Sequence, residues 1–342
     1  MTPTQQFVVF SAVKVLAVFA VLMGIVAYGV LLERRLCAFI QDRVGPNRVG
    51  PLGLVQPLAD GVKAFLKEDF TPAYVRKAYF WLAPALIMIP ALLTVAVIPF
   101  GSNLGDQSMV IADLDVGILY TFGIVSLGVY GIVLAGYAAN SKYPFLGGIR
   151  SSAQMISYEI AMGMSVIPVF MLVGSLRLSA VIDYQTEGLS SWLVFQQPLA
   201  FLIFMVAAFA ETNRMPFDLP ESEQELVGGY NTEYSSMKFA FFFMAEYANM
   251  TLASAMMVTL FFGGWTLPWF GLEQPATTLA GGVLHILVFL GKVALFMVWF
   301  IWVRWTLPRF RYDQLMDLGW RRMIPLALAN IVITAAVLWA KH

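Results

Sequence analysis

Residues 7–35 read FVVFSAVKVLAVFAVLMGIVAYGVLLERR, a long apolar run with Lys14 its one charged side chain until Glu33, Arg34 and Arg35 arrive together. A bilayer core asks for about 20 predominantly apolar residues rising about 1.5 Å each. The stretch therefore predicts a transmembrane helix ending at a charged boundary. It has no basic leading region and no small-residue cleavage site, so it is expected to stay in the protein and not act as a signal peptide.

The same pattern recurs along the chain. Of 342 residues, 59% are hydrophobic and 12% charged, with a mean hydropathy of +0.75, which sets the protein apart from soluble globular domains. Seven further segments are long and apolar enough to span: 79–100, 116–138, 151–175, 192–210, 239–262, 283–302 and 320–340. Gln196, Gln197 and Pro198 interrupt the fifth of the eight. No repeat of 20 to 50 residues and no low-complexity tract is present. The expectation is one all-α polytopic domain of eight transmembrane helices.

Net charge is zero, so the overall balance gives no argument for nucleic acid or an anionic surface. Placement is more telling. Arg34, Arg35, Arg43, Arg48, Lys63, Lys67, Arg76 and Lys77 crowd into 33–78, and Arg304, Arg309, Arg311, Arg321 and Arg322 into the last loop. The alternate loops carry almost no Lys or Arg, Arg177 being the exception. The positive-inside rule then puts the odd-numbered loops in the cytoplasm and both termini on the periplasmic side. Cys37 stands alone, and His285 is the one histidine inside a span. Haem ligation by paired histidines, Fe–S ligation and a disulfide all lack their residues, and no Gly-rich nucleotide fingerprint follows a strand. Redox centres, if the protein serves redox chemistry, belong to partners.

The first cytoplasmic loop is patterned. Gly45, Pro46, Asn47, Gly50, Pro51 and Gly53 suit a tight non-helical wall. An apolar stripe of Leu54, Leu58, Val62, Phe65 and Leu66 opposes Gln56, Asp60, Lys63 and Lys67, which reads as a short amphipathic helix, started by Pro57, against the membrane or a partner.

The loop 211–238 holds the main acidic constellation: Glu211, Asp218, Glu221, Glu223, Glu225 and Glu233, with Arg214. A solvated charge run is the ordinary reading of such a stretch. Here Met215, Phe217, Leu219, Leu226 and Tyr230 are interleaved with the acids, which favours a folded, partly buried cluster. Carboxylates held that close in a low dielectric repel one another, and repulsion plus desolvation raises some of their pKa values. Such a cluster can take up and release protons. Glu159 and Glu246 each lie eight residues inside a span, counted from Ser151 and Lys238, or about 12 Å deep. Intramembrane acids are functional candidates by default. Their structural alternative is pairing with Lys292, Lys14 or a carbonyl. Lys292 reads equally as proton path or counter-ion, and His285 as a satisfied helix residue.

Six stretches carry a family resemblance: ERR at 33–35; RVGPNRVGP at 43–51 with QPLADGVK at 56–63; GIRSSAQMISYE at 148–159; AETNRMPFDLPESEQELV at 210–227; YNTEY at 230–234; and PRFRYDQLM at 308–316. With them the chain resembles the first, H-type membrane subunit of bacterial NADH:quinone oxidoreductase, respiratory complex I. The resemblance implies a subunit that joins the peripheral and membrane arms of a proton-translocating complex in the bacterial plasma membrane. It implies that 33–78 and 211–238 wall a chamber for the quinone headgroup, with ubiquinone the expected substrate, completed by two peripheral-arm subunits. FMN and Fe–S clusters are implied in partner subunits, none in this chain. Carried onto this sequence, Arg34, Asp60, Lys63, Arg214, Phe217 and Arg304 line or support the quinone passage. Glu159, Glu211, Glu221, Glu223, Glu225 and Glu246 form the proton path toward the small and antiporter-like membrane subunits. The competing readings are the membrane subunit of an energy-converting hydrogenase, which uses no quinone, a secondary ion transporter, which calls for internal symmetry, and an inert anchor, which needs no buried acids.

Overall fold

Proline and glycine punctuate a chain that is otherwise helical, about 74% of it in the computed structural model, which describes residues 3–105, 107–219, 228–269 and 271–341. The first apolar run forms α1 (Pro3–Ile40), continuing past the charged triplet. A turn-rich segment follows in which Gly50, Leu52 and Gly53 have positive φ. Proline near its start then opens α2 (Gln56–Leu66), whose Leu58, Val62, Phe65 and Leu66 are all exposed.

The remaining elements are α3 (Lys77–Thr94), α4 (Gly117–Ala138), α5 (Lys142–Val173), α6 (Leu178–Tyr184), α7 (Leu193–Gln196), α8 (Pro198–Glu211), α9 (Ser236–Phe261), α10 (Leu279–Thr306), α11 (Tyr312–Asp317) and α12 (Ile324–Lys341). A two-residue antiparallel ladder pairs Asn103 with Ser108 and Leu104 with Gln107. Among the described residues, six helices are long and apolar enough to cross a membrane: Val8–Ile40, Lys77–Val97, Gly117–Ala138, Lys142–Val173, Leu279–Thr306 and Tyr312–Lys341. The expected fifth and sixth spans form helices of a different character. α8 is shorter, because Pro198 excludes the helical conformation at Gln197 (φ −132°, ψ 58°) and cuts α7 off from it. α9 has 26 residues but carries Lys238, Glu246 and several hydroxyl side chains.

Packing explains the polarity of α9. It is the central helix, touching α1, α2, α3, α6, α8 and α10, and its second half is buried almost continuously from Met250 to Phe261. A helix covered by neighbours has little need of a lipid-compatible surface. Around it α3 packs on α4, α4 on α5, and α5 on α8 and α12. Lipid supplies no hydrophobic drive between helices, so close backbone approach and dispersion hold such pairs. Gly131 is a contact of this kind: a Cβ there would run into Cγ1 of Ile87 and lie 3.1 Å from the carbonyl of Ala83 on α3.

Polar ties set the helix ends. Gln197 accepts from Nδ2 of Asn330 at 3.1 Å and donates to Oγ1 of Thr334 at 3.1 Å, joining the α7–α8 break to α12. Oγ of Ser236 donates to the carbonyls of Ala64 and Lys67 at 3.0 Å each, and Lys238 meets Oδ1 of Asp69 at 2.9 Å. The start of α9 thereby holds the end of α2 in place.

Candidate functional site

Four segments converge where α1, α9 and α10 approach the loop after α8. Glu33 is on the last turns of α1, Arg214 on the loop, Glu246 and Tyr247 on α9, and Arg304 near the end of α10. Arg214 is 2% exposed and bridges two acids: Nη1 to Oε2 of Glu33 at 3.0 Å and Nε to Oε1 of Glu246 at 2.6 Å. Arg304 reaches the other oxygen of Glu33 at 2.6 Å, and the Tyr247 hydroxyl donates to Oε2 of Glu33 at 2.6 Å. The Arg214 guanidinium also lies 4.6 Å from the centroid of the Tyr247 ring. Two acids and two arginines thus balance in charge, the condition under which ions tolerate burial. Burial works against the charged form of Arg214, but Glu246 and Glu33 outweigh it and raise its pKa.

The loop is fixed by α5. Gln154, fully buried, donates through Nε2 to the carbonyls of Ala210 and Phe217, both at 2.9 Å, and to Oδ1 of Asn213 at 3.2 Å. Phe217 is buried against Tyr158 and Phe310, with ring centroids 5.5 and 5.4 Å away. Asp218 faces Arg309, Oδ2 to Nη2 at 3.3 Å. Burial lifts the Asp218 carboxyl to about 6 despite the opposing pull of Arg309. The backbone N–H of Phe310 donates to the carbonyl of Pro216 at 3.1 Å, so the last loop docks on this one.

The expected site residues separate into groups. Arg214, Glu246 and Arg304 share the buried ion network. Glu211, at the end of α8, lines a cavity of ≈ 30 Å³ together with Glu246. Glu159 is on the α4 side, where Oε1 meets the Ser126 hydroxyl. Arg34, Asp60 and Lys63 form a separate exposed cluster: Nη1 of Arg34 is 2.8 Å and Nζ of Lys63 3.6 Å from the Asp60 carboxylate. Asp60 and Lys63, one turn apart on α2, are thus joined by Arg34 of α1. Glu221, Glu223 and Glu225 lie outside the described residues.

Sequence reasoning passed over Glu33, Tyr247 and Gln154. Glu33 and Gln154 fall in the stretches singled out as family motifs, and the signal for Glu33 was an acid at the inner end of a span beside two arginines of which only one finds Asp60. Lys292 pairs with no carboxylate among the described residues. Its Nζ donates to the carbonyls of Phe262, Gly264 and Thr266 at 2.7, 3.0 and 2.6 Å, capping the end of α9. His285, expected to be satisfied, is only half so: Nδ1 is 2.7 Å from Oγ of Ser102, while the buried Nε2 has no hydrogen-bond partner among the described residues.

Comparison with known proteins adds a family to this geometry. A family described as NADH dehydrogenase matches residues 13–335. The chain is 51% identical over 338 residues to the NADH-quinone oxidoreductase H-type subunit 1 of Cytophaga hutchinsonii, covering 97% of both chains. It is 49% identical to the H-type NADH-quinone oxidoreductase subunit of Flavobacterium psychrophilum, over 98% of each, and 52% identical to NADH-quinone oxidoreductase subunit 8 of Rhodothermus marinus, over 89% of each.

Proposed function

From the premise that the chain belongs to the NADH dehydrogenase family and is a multi-pass membrane subunit of NADH-quinone oxidoreductase, we propose that it walls the quinone chamber and passes the charge change of quinone reduction to buried acids. The observation that carries this reading is the compensated network of Glu33, Arg214, Glu246 and Arg304, with Glu211 next to it in the cavity. In this reading α7–α8 and α9 cross the bilayer with the six longer helices, both termini are periplasmic, and the basic loops face the cytoplasm. The α2 helix lies with its bare apolar stripe on the membrane or on a partner subunit. Peripheral-arm subunits, with FMN and Fe–S clusters, complete the chamber, while small and antiporter-like subunits continue the membrane arm.

The physical argument runs through charge. Reduction of a quinone to a quinol takes two electrons and two protons inside a poorly screened pocket. A network holding two acids and two arginines in balance is sensitive to any charge added beside it, and proton transfer among Glu246, Glu211 and Glu159 restores the balance. Glu221, Glu223 and Glu225 continue the acidic series in the loop, while Arg34, Asp60, Lys63 and Phe217 support the passage walls. The relatives favour the quinone-linked complex over the hydrogenase, since each is named as a NADH-quinone oxidoreductase subunit.

The test is Glu211→Gln, with Glu225→Gln beside it, in the purified complex reconstituted into vesicles. Each keeps side-chain shape and removes ionisation. Quinone-linked proton translocation is expected to fall severely. Undiminished proton translocation by both variants overturns the reading.

A further inference from the structure

Glu211 is the one acid of the site whose two carboxyl oxygens both have no hydrogen-bond partner among the described residues, and it is 7% exposed. A buried carboxyl left in that state costs several kcal/mol unless solvent reaches it. Two cavities meet at its side chain. One, of ≈ 30 Å³, also touches Glu246, Asn249 and Gly128. The other, of ≈ 50 Å³, continues past Asn249 to Thr94 and Thr121. Glu211, Thr212, Asn249 and Val125 line both. A water needs about 10–15 Å³ of such volume and two or more polar partners. Both spaces exceed that, and the carboxyl and amide groups supply the partners.

We infer that Gly128 and Asn249 build a water site between Glu211 and Glu246, with Asn249 the positioning residue that holds the water and Gly128 the residue that leaves room for it. The inference rests on the proton-path reading above and adds to it two residues that do not titrate. Asn249 is three residues beyond Glu246 on α9, hence on the same helix face, and an amide offers both donor and acceptor to water. Gly128 contributes by absence: a Cβ built there meets nothing within 4 Å. Gly128 is on the lining of the smaller cavity, and Gly128→Val tests whether the space left by its missing side chain is needed there. In the transfer, the Glu246 carboxyl gives its proton to the adjoining water, that water releases another to the Glu211 carboxylate, and the water is left unchanged. Glu246 returns to the ionised form that faces Arg214.

The experiment uses the complex purified from membranes and reconstituted in vesicles, reading protons translocated and quinone reduced for Gly128→Val, Asn249→Leu, Asn249→Ser and Glu211→Gln, with Gly163→Ala as the control. Gly163 is also open to a methyl group but does not line either cavity. Gly128→Val and Asn249→Leu are expected to lose about tenfold or more of proton translocation, since a positioned proton transfer is worth about 10²–10⁴. Asn249→Ser, which restores a polar group and space, is expected to recover most of it, and Gly163→Ala to match the parent. Full translocation by Gly128→Val, while Glu211→Gln is impaired, overturns the water site and leaves the proton-path reading standing. Full translocation by Glu211→Gln also overturns the water site, and if Glu225→Gln matches it, the proton-path reading falls as well. A density map of the parent complex that resolves ordered water gives a second readout independent of variant assembly. Water within about 3.2 Å of a Glu211 oxygen supports the site, and a dry cavity there overturns it.

Discussion

At the scale of single residues, burial decides which charges matter. Glu33 accepts from two arginines and a tyrosine at once, so removing its charge leaves Arg304 without its acid and Arg214 with Glu246 alone. Glu33→Gln is expected to destabilise the protein by about 3–5 kcal/mol, the usual cost of breaking a buried pair. Tyr247→Phe, which removes one hydrogen bond, is expected to cost about 1–3 kcal/mol. Thermal unfolding of the purified protein compares the two, and equal effects would contradict the network. Asp218 gives a pH signature. Its carboxyl rises from 3.8 to about 6 on folding, so the folded state binds its proton more tightly than the unfolded state does. Stability from this group is fully present below 3.8 and is lost as pH climbs through about 6, by about 3 kcal/mol in total. Unfolding midpoints measured from about pH 4 to about pH 8 are expected to fall across that window in the parent and to flatten in Asp218→Asn. The candidate acids were legible in the sequence because charges inside apolar runs are conspicuous. Their partners were not: Glu246 meets Arg214 of another segment, and Arg214 in turn meets Glu33, an acid that sequence reasoning passed over, across 181 residues of chain. The Asp60–Lys63 contact, between residues three apart on one helix, is by contrast of the kind that local spacing carries.

Helices show how much of an element the pattern of residues dictates. Apolar runs predicted every long helix, and Pro198 marked the break that the backbone has at Gln197. Boundaries moved where helices extend beyond the bilayer: α5 starts at Lys142, nine residues before the expected span. The polar groups of α9 are answered within the protein: Thr251, Ser254 and Thr259 donate to carbonyls one turn back on the same helix, while Glu246 meets Arg214 and Lys238 meets Asp69 on loops. Close approach between elements gives a direct test. Gly131→Ala pushes a methyl group into Ile87 and the carbonyl of Ala83, and overpacking of this sort costs about 1–3 kcal/mol. Gly163→Ala, with nothing within 4 Å, is expected to leave stability unchanged or raise it slightly. Melting temperatures of the two variants in detergent would separate close packing from a general intolerance of alanine.

For the whole molecule, the distribution of Lys and Arg sets an orientation that can be measured. Cys37 is the lone cysteine and is buried, so Cys37→Ser provides a blank background for single reporters. Lys67→Cys, on the exposed end of the first loop, is expected to react with a membrane-impermeant maleimide only from the cytoplasmic side. Asp115→Cys, at a site whose side chain is 89% exposed, is expected to react only from the periplasmic side. Labelling from the opposite sides would invert the topology. By itself the sequence determined that this is a helical membrane protein, where its apolar segments fall, and which motifs tie it to its family. Those properties follow from hydropathy and local order, which adjoining residues carry together. The tertiary structure decided which acids are paired and which one is left in a cavity, because pairing depends on helices brought together from distant parts of the chain. Glu33, Arg214, Glu246 and Arg304 become one charge-balanced unit only when α1, α9, α10 and the loop after α8 pack side by side.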